Sequence, residues 1–374
     1  MKKILVLGCT GSIGTSTLNI IREFSQDFSV VGLTAHSSEE KLIELSKEFN
    51  APYCLTGKTS VQQLEDFITA SHADIAVNGI AGAAGLLPSV MVLKAGIDLA
   101  LANKETIVMA GPLVEKLAQQ HNCSVYPVDS EHSAVFTLVN KFGSTSVKEV
   151  ILTASGGPFR NTPKEKLAFM KPSDALKHPT WNMGQKITID SASLANKGLE
   201  VIEACRLFKV KPEQVKVTIH PQSLIHSLIK TTDGVLYAQI SPPDMRHPIL
   251  TALMWPTFVP NSLEEFDITS EGTMTFAPPR FEDFPMLSLA YKALSMGESA
   301  TIAYNAANEV AVSAFLKEQI LFTDISSVTE KVLEQDWSMD VTSIQEVFSF
   351  DDRGRQLAQA AVETLQSQNS RGPQ

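Results

Sequence analysis

Two carboxylates stand two residues apart in Asp129-Ser130-Glu131-His132. The run before them, Cys123-Ser124-Val125-Tyr126-Pro127-Val128, reads as a short strand. In an extended chain the side chains at i and i+2 share a face, so both acids project one way from the strand end. Carboxylates aimed at one point repel each other unless a proton or a cation lies between them. Hard divalent ions such as Mg2+ or Mn2+ take oxygen ligands and keep positions open for a substrate. The stretch is expected to hold such an ion; the competing reading is a solvated acidic turn.

Other chemistry-bearing residues are grouped in the same way. In Asp190-Ser191-Ala192-Ser193-Leu194-Ala195-Asn196-Lys197-Gly198-Leu199-Glu200, Ser, Asn and Lys crowd the expected start of a helix running to about Phe208. Hydroxyl, amide and ammonium groups at a helix N-terminus make a phosphate site. Glu200 follows Asn196 and Lys197 by one turn and can face the same ligand. Ser155-Gly156-Gly157 offers a hydroxyl and backbone amides, an anion-binding nest. His178-Pro179-Thr180-Trp181-Asn182-Met183-Gly184 carries an aromatic and a Met outside any periodic pattern. It reads as a loop that closes over a ligand, or else as a buried plug. His220 and His226 read as structurally satisfied histidines.

The elements that must position these groups begin at the N-terminus. Ile4-Leu5-Val6-Leu7 is an apolar run of the buried parallel-strand type. It leads into Gly8-Cys9-Thr10-Gly11-Ser12-Ile13-Gly14 and a helix expected over about Thr15–Phe24. Strand, glycine turn and helix form the context of a dinucleotide site, here spaced G-x-x-G-x-x-G; a plain tight turn is the alternative. After the second strand the chain reads Thr34-Ala35-His36-Ser37-Ser38, without the acid that holds the ribose hydroxyl of NAD. That absence favours NADP, with His36, Ser37 and Ser38 as donors to its 2'-phosphate; Ser38 also reads as a helix cap. Strand–helix alternation continues to Ala102-Asn103-Lys104-Glu105, which emerges from a strand's carboxyl end, where open α/β sheets bind ligands. Lys104 there meets an anionic or carbonyl-bearing substrate, or is an ordinary surface lysine.

Domain expectations follow: a nucleotide-binding Rossmann-like parallel sheet over 1–125, an open-sheet α+β catalytic domain over 126–255, a proline-rich linker over 256–281, and an α-helical bundle over 282–374. Ala303, Ala307, Val310 and Ala314 form a small-residue stripe suited to close helix packing. At 374 residues the chain is long enough for two or three cores, and 44% hydrophobic residues argue against disorder. A net charge of −10 argues against a nucleic-acid partner. The four cysteines lack C-x-x-C spacing and suggest neither zinc nor a disulfide framework. With no signal peptide and no membrane-length apolar run, a cytoplasmic protein with no membrane partner is expected.

Taken in order, Gly8–Gly14, Ala102–Glu105, Asp129–His132, Ala154–Phe159, His178–Gly184, Asp190–Glu200, His220–His226 and Pro243–Arg246 resemble the 1-deoxy-D-xylulose 5-phosphate reductoisomerase family. The resemblance runs over nearly the whole chain. It implies that Asp129, Glu131 and Glu200 are ligands of one Mg2+, Mn2+ or Co2+, and that Lys104 and Ser130 meet the carbonyl and hydroxyl end of the substrate. It implies phosphate and flap contacts from Ser155, His178, Ser191, Asn196 and Lys197, and a flap over substrate and nicotinamide from Trp181 and Met183. Thr10, Gly11, Ser12, Ile13, Asn103, Glu105 and Gly184 match NADPH contacts, and His226 and Met245 match residues lining the site. Lys104 and Glu131 are the implied catalytic groups, a small phosphorylated sugar the implied substrate, and a homodimer the implied assembly. One departure is at 36–38, where many members carry Gly, Lys and Asn; without that lysine the preference for NADPH over NADH should be narrower.

Two rival readings remain open. A semialdehyde- or dihydrodipicolinate-type reductase shares the layout, but neither needs three carboxylates, and the former needs a cysteine nucleophile. A non-catalytic NADP sensor would keep Gly8–Gly14 and need no acids.

Overall fold

The computed structural model describes residues 1–177, 181, 183–269 and 273–369. The chain alternates through β1 (Lys2–Leu7), α1 (Ser12–Glu23), β2 (Phe28–Ala35), α2 (Glu39–Phe49), β3 (Tyr53–Leu55), α3 (Val61–Ala70), β4 (Ile75–Asn78), α4 (Leu86–Lys94), β5 (Asp98–Leu101), α5 (Lys104–Gln120) and β6 (Val125–Pro127). There follow α6 (Ser130–Phe142), β7 (Val147–Ala154), α7 (Lys164–Leu167), α8 (Pro172–Ala175), α9 (Gln185–Ser193) and α10 (Ala195–Phe208). The rest comprises β8 (Val215–Ile219), β9 (Ile225–Thr231), β10 (Leu236–Ile240), α11 (Arg246–Met254), α12 (Met286–Met296), α13 (Glu298–Leu316), α14 (Asp324–Leu333) and α15 (Ile344–Asn369).

Two compact units result: 1–106 with 111–137 and 244–265, and 107–110 with 138–243 and 266–374. The division differs from the expected limits at 125 and 255. The physical reason is α11, whose Ile249, Leu250 and Leu253 are buried in one core with Ile4, Val6 and Leu18 of the N-terminal sheet. Part of the expected 256–281 linker, up to 265, likewise belongs to the first unit.

The first unit is the expected Rossmann-like sheet, six parallel strands in the order β3-β2-β1-β4-β5-β6. Ile4, Leu5, Val6 and Leu7 are fully buried, as a strand covered on both faces requires. Strand order reverses between β1 and β4, and ligands of such sheets bind at that crevice. A Cβ on Gly8 (φ +79°) would lie 3.3 Å from the backbone of Gly79, so the loops after β1 and β4 meet there.

In the second unit β10-β9-β7-β8 form a mixed sheet, with β7–β8 parallel and β9 antiparallel to β7 and β10. Strand β9 holds His226 and Ser227, polar but buried. Helices α12–α15 lie within the stretch 282–374 expected to be α-helical. On α13, Ala303, Ala307 and Ala314 are buried and Val310 is half-buried. Gly354 of α15 faces this helix so closely that a Cβ would approach Ala306 Cβ to 2.9 Å. Among the described residues no helix is long and apolar enough to cross a membrane.

Candidate active site

In the first unit the glycine turn is a backbone cradle. A Cβ on Gly14 would fall 2.3 Å from the Gly8 carbonyl oxygen and 2.5 Å from Cys9 Cα, so only glycine lets α1 start this close to the turn. The turn is fastened to β2: the Gly8 and Cys9 amides donate to the Thr34 carbonyl at 3.1 and 2.8 Å. Gly11 is the N-cap of α1 and has no side chain to cap with. The amides of Ser12 and Ile13 begin the helix with no carbonyl behind them in it, which leaves donors and a positive dipole end for an anion. Thr10 and Ile13 are half-buried, while Gly11 and Ser12 are exposed. His36, Ser37 and Ser38 lie exposed beyond β2, and Ser38 occupies the N-cap position of α2 without a capping side-chain bond. His36 Nδ1 is 3.3 Å from Thr56 Oγ1.

Asn103 proves to be a keystone. Its side-chain oxygen accepts the Thr106 amide at 3.0 Å and the Thr106 hydroxyl at 2.5 Å, capping α5. Its nitrogen donates to the carbonyls of Ile80 and Gly82 at 2.7 and 2.8 Å and to Glu105 Oε2 at 3.0 Å. The side chain is thus engaged by the protein. Lys104 heads α5 and is 5% exposed, not the surface lysine of the alternative reading. Its Nζ donates to Asp129 Oδ2 at 2.5 Å.

The acidic stretch differs from the extended geometry expected. Strand β6 ends at Pro127 and α6 begins at Ser130, so Asp129 precedes the helix and Glu131 lies in its first turn. Asp129 Oδ1 accepts the Glu131 amide at 3.2 Å, and Ser133 donates its amide to the Asp129 carbonyl at 2.8 Å. The two acids are therefore placed by a helix start, not by strand alternation. Ser130 Oγ donates to Glu131 Oε2 at 2.5 Å. His132, fully buried, sets Nδ1 3.2 Å from Asp129 Oδ1. Burial alone would raise the Asp129 pKa, yet the Lys104 ammonium and then His132 hold it well below the ordinary carboxylate range. The sequence reading gave His132 no role; its spacing of three from Asp129 across a helix start was the available signal.

The second unit gathers the anion-binding candidates. Ser155 follows β7, and its hydroxyl accepts the Gly157 amide at 3.2 Å. A Cβ on Gly157 (φ +66°) would stand 2.6 Å from the Ser191 carbonyl oxygen. The Ser155 turn and the end of α9 are thus in backbone contact. Ser191 lies in the last turn of α9, and α10 starts after Leu194, which adopts φ 61°. The expected single helix start is in fact a junction of two helices, because Leu194 turns the chain between them. Asn196 and Lys197 occupy the first turn of α10. Asn196 Nδ2 donates to Glu200 Oε1 at 2.5 Å, and Lys197 Nζ pairs with Glu200 Oε2. Glu200 and Lys197 are buried, and the buried Asn196 Oδ1 has no partner.

Trp181 is half-buried, its ring centroid 6.2 Å from that of His226, whose Nε2 lies 3.2 Å from the Ser241 carbonyl. Met183 is half-buried, and Gly184 is the exposed N-cap of α9. His178 lies outside the described residues. Met245 belongs to the first unit, packed against its core. His220 is satisfied as expected: Nε2 accepts the Leu224 amide at 3.2 Å, so Nδ1 carries the proton given to the Thr275 carbonyl at 3.0 Å.

Family models for 1-deoxy-D-xylulose 5-phosphate reductoisomerase match residues 4–68 and 52–111, and models of its C-terminal domains match 125–208 and 240–357. A 1-deoxy-D-xylulose 5-phosphate reductoisomerase of Treponema denticola is 48% identical over 370 residues, covering 96% of this chain and 97% of that protein. The chain belongs to the 1-deoxy-D-xylulose 5-phosphate reductoisomerase family. The reductoisomerase of Treponema pallidum is 43% identical over 367 residues, with 97% of this chain and 98% of that one covered. A crystal structure of DOX-P reductoisomerase in complex with NADPH, fosmidomycin and magnesium matches with a TM-score of 0.90 at 36% identity, covering 98% of this chain and 99% of that one. The Zymomonas mobilis reductoisomerase in complex with NADPH matches at 0.89 and 36% identity, covering 97% and 100%.

As an oxidoreductase of the reductoisomerase family, the chain needs no nucleophilic thiol, and Cys205, the cysteine within the expected catalytic domain over 126–255, is unsuited to attack. Burial pushes Cys205 up to about 12 and Cys9 up to about 11. The semialdehyde-type reading therefore loses Cys205 as its nucleophile.

Proposed function

We propose that this chain rearranges and reduces 1-deoxy-D-xylulose 5-phosphate to 2-C-methyl-D-erythritol 4-phosphate, with NADPH and a divalent ion, in non-mevalonate isoprenoid synthesis. The observation that carries the reading is the pair of buried Lys104 with half-buried Asp129 at 2.5 Å, beside Glu131, within a chain of this family. A nucleotide domain alone would not need that pair.

The residues fit the two groups the reading requires. Asp129, Glu131 and Glu200 offer only oxygen donors, the set preferred by Mg2+ or Mn2+. The cradle at Gly8–Gly14, which a Cβ would fill, fits a pyrophosphate at a helix N-terminus. When bound, the ion supplies Lewis acidity and the reduced nicotinamide supplies hydride.

The chain's own residues do the rest. Lys104 places positive charge at the carbonyl and hydroxyl end of the substrate, where negative charge develops during rearrangement. Ser130, bonded to Glu131, orients that carboxylate. Ser155, Ser191, Asn196 and Lys197 bind the phosphate. The Asn196 and Lys197 side chains now on Glu200 exchange that partner for ligand. Phosphate binding far from the reacting carbons supplies energy to close Trp181 and Met183 over the substrate, with His178 as a further contact. His226 and Met245 line the site, and Asn103, Glu105 and Gly184 join Thr10–Ile13 at the cofactor. His36, Ser37 and Ser38 receive the 2'-phosphate. The working assembly is a homodimer.

Glu200→Gln tests the ligand set. The variant should bind NADPH as wild type does and lose roughly 100-fold or more of its metal-dependent turnover. Unchanged turnover would remove Glu200 from the set.

A further inference from the structure

Helix α5 begins at Lys104 and is bent: Ala110 leaves helical geometry (φ −141°, ψ 23°) and Pro112 stands inside it. Proline has no N–H for the carbonyl four residues earlier, and its ring crowds that carbonyl. The orphan here is the carbonyl of Val108, in a stretch, Ile107–Ala110, that is wholly buried. A buried carbonyl without a donor is costly.

The donor comes from α10. Arg206 Nη1 donates to the carbonyls of Ile107 and Val108 at 2.6 and 2.5 Å. Its Nη2 donates to Thr301 Oγ1 of α13 at 2.7 Å, and that hydroxyl donates to the Glu298 carbonyl at 2.8 Å. The guanidinium is thus fixed at both ends. Burial pushes its pKa down to about 10, against the opposing charge of Glu298, so it stays cationic at neutral pH. Ile107–Ala110 accordingly group with the second unit, while α5 on either side groups with the first.

We propose that Arg206 is a positioning residue: it caps the carbonyls around the Pro112 bend and so fixes the turn of α5 that presents Lys104. The capped stretch starts three residues after Lys104, within one helical turn. Helix α10, which carries Arg206, also carries Asn196, Lys197 and Glu200, so one side chain couples the two helices that bear the charged groups. A misplacement of about 1 Å at a reacting group costs on the order of 100-fold in rate. The proposal rests on the role given above to Lys104.

The test uses full-length R206M, P112A, R206M/P112A and K104M. Two readouts are taken: amide hydrogen exchange over 103–110, and steady-state turnover of the sugar phosphate with NADPH and Mn2+. R206M should speed exchange in that segment and lower kcat about tenfold or more, with KM within about twofold. Restoring an N–H with P112A should return both toward wild type. A general packing defect would not be rescued by a substitution on another helix. Unchanged exchange in R206M, or no rescue in R206M/P112A, overturns the proposal. Should R206M alone not fold, the double variant decides, because a regular helix needs no guanidinium; an unfolded double variant also overturns it. Retained turnover in K104M would sink the role of Lys104, and the exchange result would still judge the clamp.

Discussion

Gly157→Ala perturbs the contact that joins the two halves of the proposed phosphate nest. Gly157 sits at φ +66°, where an L side chain costs about 1–2 kcal/mol. The added Cβ would meet the Ser191 carbonyl oxygen at 2.6 Å, against 3.4 Å for the start of ordinary contact, a shortfall of 0.8 Å. Ala192 Cα, at 3.0 Å, closes the other direction. Both obstacles are backbone and cannot rotate away, so the Ser155 turn and the end of α9 must separate. Overpacking of this kind adds about 1–3 kcal/mol. The sum, about 2–5 kcal/mol, corresponds to a fall in Tm of roughly 4–20 °C at about 2–4 °C per kcal/mol. Ser155 and Ser191 then no longer converge, and a shift of this size should raise KM for the sugar phosphate tenfold or more while NADPH affinity is kept. Gly96→Ala is the control, with φ +74° but open space around its Cβ. It should lose about 1–2 kcal/mol with wild-type KM. Thermal melts and steady-state kinetics on both variants decide the matter. A Gly157→Ala enzyme with the stability of the Gly96→Ala control and an unchanged KM would refute the reasoning.

Three further outcomes are expected. Lys104→Met should abolish turnover and alter acid stability: Asp129 has a depressed pKa in the folded chain, so it contributes stability above the unfolded value of about 4 that is lost as pH falls through the folded value. Without the ammonium that depression shrinks and the acid limb moves to higher pH; urea titrations across the acid range read it, and an unmoved limb would contradict the pairing. Cys205→Ala should keep wild-type turnover, since a thiol pushed up to about 12 is not the nucleophile; a loss measured at equal folded fraction would revive the thiol-based reading. Ser37→Asp should weaken NADPH binding about tenfold relative to NADH by repelling the 2'-phosphate, and an unchanged ratio of the two Kd values would move the phosphate away from 36–38.

The apolar strand Ile4–Leu7 and the glycine spacing after it made the nucleotide sheet legible, because parallel strands are buried on both faces and Gly14 has no substitute at its contact. The helical segments at 286–369 were legible from period alone. Strand β9 was not, because the polar His226 and Ser227 interrupt its apolar pattern: Ser227 Oγ is satisfied by the adjacent His226 carbonyl, and His226 Nε2 lies against the Ser241 carbonyl fifteen residues on. The return of α11 to the first core was equally hidden, since periodicity carries no information about which sheet a helix covers. At the site, residue types were readable and their supports were not. Asp129 and Glu131 were singled out on strand alternation, yet a helix start places them. Leu194 gave no sign that its positive φ divides α9 from α10. Asn103 and Arg206 act through partners far along the chain, a relation that spacing cannot express.

The most direct test of the central claim is absorbance at the reduced-nicotinamide band, with protein, NADPH, Mn2+ and 1-deoxy-D-xylulose 5-phosphate mixed, and with EDTA in a parallel sample. Oxidation that requires the sugar phosphate and stops with the chelator is the predicted result. Bound NADPH that is never oxidised would contradict the account and leave a nucleotide-binding protein without this chemistry.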